Sequence, residues 1–362
     1  MNKTTYITVE DCCDILDNQR IPVTKSDREK GIYPYYGANG IQDYVKDYIF
    51  DGEFVLVAED GGNFGSKTKP IAYRISGKCW VNNHAHVLRA KSGFDVDYIC
   101  YALMFYDTTK IVNGATRGKL TQGNLKKMRI PHVSLESQKQ VVSILSNIKN
   151  TIYSNQKLSS DLDELIKSRF CELFGDPNHC DLTHAKKLEN CVTIKDDLRK
   201  PISSAEREKM QDGELYPYYG ATGQVGWINS FLSDFDGLCV AEDCGNYGPG
   251  EYSSYIIRGK CWVNNHAHLL LCNKNVNITY LNAYLMFLDI TKYINGSTRS
   301  KLTQSQLKKL PVLVPGIKEQ ETFASFVLEL NKTKSVVQNR SLLLNELFMR
   351  KIYEYFGDIE HA

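Results

Sequence analysis

The same ten residues occur twice in the chain, and this repeat restricts the possible folds more than any other feature of the sequence. GKCWVNNHAH occupies residues 77–86 and again residues 259–268, which is 182 positions later in a chain of 362 residues. A solenoid is excluded, because its period would be about 20 to 50 residues. The chain is therefore a tandem duplication of one long unit.

Other matching stretches extend the duplication along most of both halves. Over this span the offset is 182 or 183, so a single one-residue gap aligns them. The stretches are YPYYGANG (33–40) with YPYYGATG (216–223), VAEDGGNFG (57–65) with VAEDCGNYG (240–248), NGATRGKLTQGNLKKM (113–128) with NGSTRSKLTQSQLKKL (295–310), and LFGD (173–176) with YFGD (355–358). Nearer the start, QRIPV (19–23) aligns with LRKPI (198–202).

The first part of each half predicts an α+β domain, because short β-like runs alternate with turns rich in Gly, Asn and Asp and with amphipathic helix patterns. Thr121 and Thr303 are expected N-caps of short helices. The strand candidates are FVLVAED (54–60), KPIAYRI (69–75) and CWVNNHAHVLRA (79–90), and the longer helix candidates are DYICYALMFYDTTKI (97–111) and TYLNAYLMFLDITKYI (279–294).

The second part of each half predicts one long helix. No Pro or Gly interrupts residues 134–174 or 318–356, and apolar residues recur there at helical spacings. About 38 residues give a helix of about 57 Å, and so long an apolar stripe needs a partner. We expect the two helices to pair antiparallel as a coiled coil that joins two homologous domains, rather than each packing only on its own domain. The expected division is 1–133, first domain; 134–176, first helix; 177–314, second domain; and 315–362, second helix.

Composition narrows the class of protein without naming it. No apolar run reaches the roughly 18 residues that a membrane-spanning helix needs, and the first residues lack the apolar core of a signal peptide. The 11 Cys include no CxxC pair, which favours reduced thiols in a cytoplasmic protein. The net charge of +2 does not by itself point to nucleic acid.

Motifs of common catalytic sites are absent from the sequence. It contains no GxxxxGK[ST] phosphate loop, no Asn/Asp-Pro-Pro-Tyr/Phe motif of adenine methylation and no nuclease cluster. The two NNHAH stretches leave a metalloenzyme open, because His84 and His86 would share one face of a strand, with Asp60 as a possible third zinc ligand. Cys79 would point to the opposite face. The alternative is that this strand is a structural element, used twice because the domain is used twice.

Four features in order resemble the specificity subunit of a type I restriction–modification system. They are the layout of domain, long helix, domain, long helix; a Pro-containing strand and a Glu and Gln at each helix start (IPHVSLESQKQVVSIL, VPGIKEQETFASFV); the TRGKLT and TRSKLT runs; and YPYYGANG followed by NNHAHVL. The first copy departs from the pattern, since Glu136-Ser137-Gln138 stands where the second has Glu319-Gln320.

The resemblance implies a subunit without catalysis or cofactor of its own. Each domain would be a target recognition domain that reads one half of a bipartite site in double-stranded DNA. The helices would fix the spacing of the halves and dock methyltransferase subunits that bind S-adenosylmethionine, and restriction and translocase subunits could join. A coiled-coil scaffold that binds proteins and not DNA remains the other alternative.

Candidate DNA contacts follow from the residue types that read base edges and phosphates. Glycine in the 61–69 and 244–252 loops would let backbone approach phosphate, although these stretches also fit plain hairpin turns. The YYGANG and YYGATG stretches could offer aromatic stacking or a buried Tyr pair, and the basic residues near the Thr caps could bind phosphate or be solvated. The expected contacts are Tyr36, Asn39, Asn63, Phe64, Ser66, Lys67, Lys69, Arg117 and Lys119 in the first half, and Tyr219, Thr222, Asn246, Tyr247, Arg299 and Lys301 in the second.

Overall fold

The computed structural model describes residues 5–112, 118–294 and 301–357. It divides into two compact units, one of Met1–Gln156 with Asn339–Ala362 and one of Lys157–Gln338. Each unit therefore combines one α+β domain with a segment of both long helices. Our linear division of the sequence separates the helices from the domains, whereas the packing distributes each helix between the two units.

The elements of the first half follow the order that the patterns predict. They are β1 (Tyr6–Thr8), α1 (Val9–Cys12), β2 (Cys13–Ile15), β3 (Lys30–Gly37), β4 (Gly40–Val45), β5 (Glu53–Ala58), β6 (Ala72–Ser76), β7 (Trp80–Val81), β8 (Ala85–Ala90), α2 (Val96–Met104), α3 (Gln122–Lys127), β9 (Arg129–Pro131) and α4 (Leu135–Phe174).

The second half repeats this order with a 3₁₀ turn (Leu188–Asn190) in place of α1 and with two additional short elements, α5 and β14. Its elements are β10 (Lys186–Lys187), β11 (Val192–Ile194), α5 (Ser204–Glu208), β12 (Tyr216–Gly220), β13 (Gly223–Ile228), β14 (Ser233–Asp234), β15 (Gly237–Ala241), β16 (Ser254–Ile257), β17 (Lys260–Val263), β18 (Ala267–Cys272), α6 (Ile278–Phe287), α7 (Gln304–Leu307), β19 (Pro311–Val312) and α8 (Ile317–Phe356).

The sheets of the two units have the same strand order, except that the second unit has one additional edge strand, β14. The first unit has a four-stranded antiparallel sheet β2-β8-β5-β6, a three-stranded sheet β4-β3-β7 and the pair β1-β9. The second unit has β11-β18-β15-β16, β13-β12-β17-β14 and the pair β10-β19. In both units the first strand of the hairpin also pairs in parallel with a short strand that comes later in the chain. These pairs are β3 with β7 and β12 with β17. The duplication in sequence is thus a duplication of fold.

The continuous strand predicted over residues 79–90 is wrong. A turn separates β7 from β8, because the Asn82 side chain accepts a hydrogen bond from the backbone N–H of His84 at 2.8 Å. Asn264 makes the same bond to His266 at 2.8 Å. Such local side-chain bonds compete with strand pairing. The expected common strand face of His84 and His86 is therefore lost as well.

The helix predicted over residues 97–111 is shorter in the structure. Its N-cap Asp95 accepts hydrogen bonds from two backbone N–H groups of the first turn, as an N-cap should. The helix ends at Met104, and Asp107 then accepts from the backbone N–H of Thr109 at 2.9 Å, which makes a local turn instead of a further helical turn.

The core of the first unit lies between the four-stranded sheet, helix α2 and the two long helices. Residues 98–104 of α2 are all buried. Leu145 near the start of α4 and Ile352 near the end of α8 belong to the same apolar cluster as α2. The ring of Phe356 meets that of Tyr98 with centroids 5.2 Å apart.

The second unit has a corresponding core, to which the end of α4 and the start of α8 contribute. Phe170, near the end of α4, is fully buried and stacks on Tyr280 of α6 with ring centroids 5.6 Å apart. Its ring also meets Phe323, near the start of α8, at 5.4 Å. Since the beginning of each helix shares a core with the end of the other, α4 and α8 run in opposite directions, and the predicted pairing is confirmed.

The ends of α4 agree with the sequence prediction. Gly175 follows the helix with φ of 80° and donates its N–H to the carbonyl oxygen of Cys171 at 2.9 Å, which is the C-cap geometry that favours glycine. Within the described residues, no helix is both long and apolar enough to cross a bilayer.

Candidate functional site

In the first unit, the tip of the β3–β4 hairpin meets the loop that follows β5. The Asn39 side chain donates to the carbonyl oxygen of Gly61 at 3.0 Å. The Asn63 side chain donates to Asn39 Oδ1 at 3.2 Å and to the carbonyl oxygen of Pro70 at 3.3 Å. Two side chains that the sequence proposed separately as base contacts are therefore one hydrogen-bonded pair at the surface.

The remaining candidates in this loop divide into anchors and exposed groups. Phe64 packs partly buried against the core of the first unit. Ser66 Oγ accepts from the backbone N–H of Lys69 at 2.9 Å and so shapes the loop. Lys67 and Lys69 are exposed. The lysines and the Asn pair are the groups of this loop that an external ligand can reach.

In the second unit, Asn246 in the equivalent loop and Thr222 at the hairpin tip are both exposed. Tyr247, in contrast, is 3 % exposed and belongs to the core, and this burial raises the pKa of its hydroxyl to about 12. A base contact by the Tyr247 ring would require the loop to leave the core. The expectation that Tyr247 contacts DNA is therefore wrong, because its ring is buried in the core.

Tyr36 and Tyr219 occupy equivalent, half-buried positions on the hairpins. The Tyr36 ring lies 6.0 Å from the Tyr73 ring, and the Tyr219 ring is stacked 5.6 Å from the Tyr255 ring. Both partner tyrosines donate their hydroxyl to a backbone carbonyl of the hairpin. These aromatic pairs stiffen the hairpins from inside, which leaves only part of each ring for a ligand.

The two lysines expected to bind phosphate are engaged in ion pairs. Lys119 Nζ lies 3.1 Å from Glu59 Oε1, and Lys301 Nζ lies 3.0 Å from Glu242 Oε1. A phosphate would have to compete with a carboxylate for each of them. Arg117 and Arg299, the other expected phosphate contacts, lie outside the described residues.

A cluster of charged side chains in the first unit, which we call the clasp, consists of Asp17, Arg20, Glu59 and His86. His86 Nδ1 is 2.6 Å from Asp17 Oδ2, and His86 Nε2 is 2.8 Å from the carbonyl oxygen of Leu120. Arg20 donates to Glu59 Oε2 at 2.7 Å. The clasp thereby ties the segment after β2 to the end of β5, to β8 and to the segment before α3.

The second unit has the same clasp. His268 lies 2.8 Å from Asp196 Oδ2 and 2.8 Å from the carbonyl oxygen of Leu302. Arg199 donates to Glu242 Oε2 at 2.7 Å. The repeated NNHAH stretch therefore recurs because each domain needs the same internal tie, and the structural interpretation of the repeat accounts for the buried histidines.

The two aspartates of the clasps, Asp17 and Asp196, are held in their charged form. Burial raises the pKa of the Asp17 carboxyl, but the hydrogen bond and charge of His86, with the charge of Arg20, outweigh it and leave that pKa below its usual range. For Asp196, burial is likewise outweighed by His268 and Gln304, and the pKa is lowered. Ionised carboxylates at these positions strengthen the hydrogen bonds that they accept.

The clasp does not have the chemistry of a zinc site. Asp17, Glu59 and His86 do bring ligand atoms within 4.8 Å of one another. However, the Leu120 carbonyl can only accept, so His86 Nε2 donates to it and offers no lone pair to a metal, while Nδ1 faces the Asp17 carboxylate. Arg20 already supplies a positive charge at 2.7 Å from Glu59.

The other proposed metal ligands point to different partners. His84 Nδ1 lies 2.6 Å from Asp60 Oδ1, whereas His86 faces Asp17. Burial raises the pKa of the Cys79 thiol to about 12, which disfavours the thiolate that binds metals. The structure thus brings Asp60 to His84, but His86, which the metalloenzyme hypothesis placed with them, faces Asp17 instead.

Sequence patterns did not single out Asp17, Arg20 and Glu59 or their counterparts in the second unit. A signal was present, since an Asp stands three residues before the Arg of both QRIPV and LRKPI. Its role could be recognised only from the fold, which places these aspartates against His86 and His268.

Comparison with known proteins assigns both halves to one family. Residues 1–164 and residues 186–345 match the type I restriction modification DNA specificity domain. The chain belongs to this family. The two matches correspond to the two copies of the duplicated unit, as the resemblance in sequence had indicated.

Full-length relatives carry the same family description. A Haemophilus influenzae protein named as a type I restriction enzyme specificity subunit is 28 % identical over 387 residues, which cover 97 % of this chain and 93 % of the relative. A Mycoplasma pneumoniae protein named as a type I specificity subunit is 23 % identical over 350 residues, which cover 90 % and 88 % of the two chains. Both specificity-subunit relatives therefore align with this chain over most of its length.

Solved structures share the fold of this specificity-domain protein. The S subunit of a type I restriction–modification system from M. genitalium superposes with a TM-score of 0.62, covering 97 % of both chains at 15 % identity. A chain from a structure of complex assembly and conformational transition in the type I R-M system gives a TM-score of 0.53 at 13 % identity and 98 % coverage of both chains.

Proposed function

We propose that this chain is the DNA-reading subunit of a type I restriction–modification complex and that each unit reads one half of a bipartite target. The domains at 1–133 and 177–314 act as target recognition domains, and the helical segments 134–176 and 315–362 as spacers. The chain performs no catalysis. Methyltransferase subunits dock on it and modify an adenine in each half of the target, and restriction subunits with translocase activity can join them.

The observation that carries this proposal is the recurrence of one loop arrangement in two units. Each unit has the same clasp, and in each unit the hairpin tip and the loop after the central strand present polar side chains of the types that read base edges. Asn39 with Asn63 does so in the first unit and Thr222 with Asn246 in the second. One shared scaffold with different side chains suits two half-sites that are related but not identical.

Side chains that differ between the copies would distinguish the half-sites. The stretch 41–53 and the stretch 67–76 differ from their counterparts in the second half at most positions. Both stretches border the loops of the candidate site. The clasp, which is the same in both units, would support either reading surface.

The test is sequencing of methylated DNA from a host that expresses the chain with its methyltransferase subunit. Asn63→Ala and Asn246→Ala should each relax or abolish recognition of one half-site, while the complex still assembles. Asn18→Ala and Asn190→Ala, at exposed positions outside the two loops and outside the stretches that differ between the copies, are the matched controls. If both loop variants keep the parent motif, these loops do not read DNA, and if the parent complex methylates no defined motif, the proposed function is wrong.

The long helices support a second part of the proposal, that their length sets the spacing of the half-sites. α4 and α8 each have 40 residues, and both continue from one unit into the other. Seven residues inserted after Gln156 and after Gln338 add two helical turns, about 10.5 Å, to each helix. The spacer in the methylated motif should lengthen by about three base pairs at about 3.4 Å each. An unchanged spacer with altered half-sites would contradict this role.

A further inference from the structure

A lysine lies over an aromatic pair beside the hairpin strand β3 of the first unit. Lys78 Nζ is 4.5 Å from the centre of the Tyr48 ring. The Tyr48 ring in turn lies 5.1 Å from the Tyr33 ring. This geometry lets the ring faces attract the ammonium group and fix its position.

The second unit repeats the arrangement at equivalent positions. Lys260 Nζ is 5.0 Å from the centre of the Phe231 ring and 5.7 Å from that of Tyr216. The two rings are 5.0 Å apart. A cation seated on an aromatic pair is therefore a feature of the duplicated domain and not of one copy.

These two lysines keep their charge available to an external anion. Both are exposed, and among the residues that the structure describes no carboxylate oxygen lies within 4.0 Å of either ammonium group. Lys119 and Lys301, which the sequence favoured, are instead neutralised by glutamates at 3.1 and 3.0 Å. The rings beneath the free lysines are themselves accessible, since Tyr48 is 39 % and Phe231 is 38 % exposed.

The way the two copies differ indicates what kind of contact this is. The stretch 41–52 shares few residues with its counterpart 224–235, yet an aromatic ring is kept at 48 and 231 and a lysine at 78 and 260. A contact that distinguishes half-sites would differ between the copies. A contact that both units make alike suits the part of DNA that is the same everywhere, the phosphate backbone.

We propose that Lys78 and Lys260, each held on its aromatic pair, contact DNA phosphates, one contact in each half of the target. The proposal rests on the proposed function, since it requires the chain to bind DNA. Positive charge on a rigid support complements the polyanion. The ring faces keep the ammonium group in place before binding, and the exposed ring edges can pack against the sugar.

The test uses the purified complex of the full chain with its methyltransferase subunits. Binding of a duplex with the cognate target is measured over a range of salt concentrations for the parent, Lys78→Ala, Lys260→Ala and the double variant. Each substitution should reduce the slope of log K against log salt by about 0.9, because one fewer counterion is released. Affinity for cognate and for unrelated duplexes should fall by the same factor, and the methylated motif should stay unchanged.

Further variants separate the effect of the lysine charge from the effect of its position on the aromatic pair. Lys78→Arg and Lys260→Arg keep the charge and should retain the parent slope. Lys139→Ala removes an exposed lysine on α4 and should leave the slope unchanged. Tyr48→Leu and Phe231→Leu keep the lysines but remove the support, so they should weaken binding without changing the slope.

Two outcomes would overturn the inference. One is a double alanine variant whose slope of log K against log salt equals that of the parent. The other is loss of methyltransferase subunits from the purified double variant, which would make this surface a protein contact. Failure of the parent complex to bind its target duplex would instead contradict the proposed function, so the two failures are distinguishable.

Discussion

Gln138 Oε1 accepts a hydrogen bond from the backbone N–H of Asp95 at 2.8 Å, and this contact fixes the first turn of α4 to the start of α2. Its Nε2 donates to the carbonyl oxygen of Val133 at 3.0 Å. Gln320 makes the same two bonds in the second unit, from the Asn277 N–H and to the Pro315 carbonyl, both at 2.8 Å. The apparent departure of the first copy from the Glu-Gln pattern is therefore no loss, because Gln138 is the structural equivalent of Gln320.

Replacing this amide should loosen the joint between domain and helix. Gln138 is 1 % exposed, so Gln138→Leu leaves a buried N–H and a buried carbonyl without a partner, at about 1–3 kcal/mol each. Urea unfolding followed by circular dichroism measures the loss in the free energy of unfolding. Gln140→Leu, an exposed position two residues further along α4, should change it by less than about 0.5 kcal/mol. Equal effects of the two substitutions would show that the amide bridge adds no stability.

The clasp predicts a defined dependence of stability on pH. Because the pKa of Asp17 is lowered in the folded chain, its contribution is present above the unfolded carboxyl pKa of about 3.9 and is lost as pH falls through the folded pKa. Asp17→Asn should therefore cost about 3 kcal/mol at pH 7, and progressively less as pH falls below about 3.9. Thermal unfolding of variant and parent across this range measures the difference.

Two comparisons check this pH argument. Asp196→Asn should behave like Asp17→Asn, since the pKa of Asp196 is lowered by the same kind of partners. Asp14→Asn removes an exposed carboxylate and should show little effect at any pH. A cost for Asp17→Asn that is as large near pH 3 as at pH 7 would mean that the ionised carboxylate is not what stabilises the clasp.

Cys244 has a backbone conformation that favours glycine. Its φ is 56°, and the equivalent residue of the first unit is Gly61 with φ of 62°. A side chain in this region costs about 1 kcal/mol relative to glycine. Cys244→Gly should raise the melting temperature by a few degrees, and Gly61→Ala should lower it. A lower melting temperature for Cys244→Gly would indicate that the contacts of the Cys244 side chain outweigh the backbone strain.

The end of α8 should stabilise the first unit, although it is the part of the chain furthest from that domain in sequence. Phe356 is 4 % exposed and packs on Tyr98. Phe356→Ala should cost about 3–5 kcal/mol, whereas Tyr353→Ala, at a position that is 48 % exposed, should cost much less. Hydrogen exchange of the α2 amides measures the effect locally. Unchanged protection of α2 in Phe356→Ala would contradict the role of this contact.

The sequence determined the features that depend on local chemistry. The repeated stretches indicated the duplication, the absence of Pro and Gly indicated two long helices, which have 40 residues each, and Thr121 caps α3 as expected. These features follow from steric limits and hydrogen bonds within a few residues, which the order of residues specifies directly. The predicted antiparallel pairing also follows from local patterns, since two long apolar stripes have few other ways to be buried.

Tertiary structure alone decided which distant residues meet. His86 stands 69 residues from Asp17 in sequence, and no periodic pattern connects them, so the role of the repeated NNHAH stretch became clear only from the fold. Burial separated Tyr247 from the exposed Asn246 beside it, and ion pairs occupied Lys119 while Lys78 stayed accessible on its aromatic support. The physical reason is the same in each case. Burial and charge pairing depend on the register in which strands and helices pack, and that register is set by the whole core and not by neighbouring residues in the sequence.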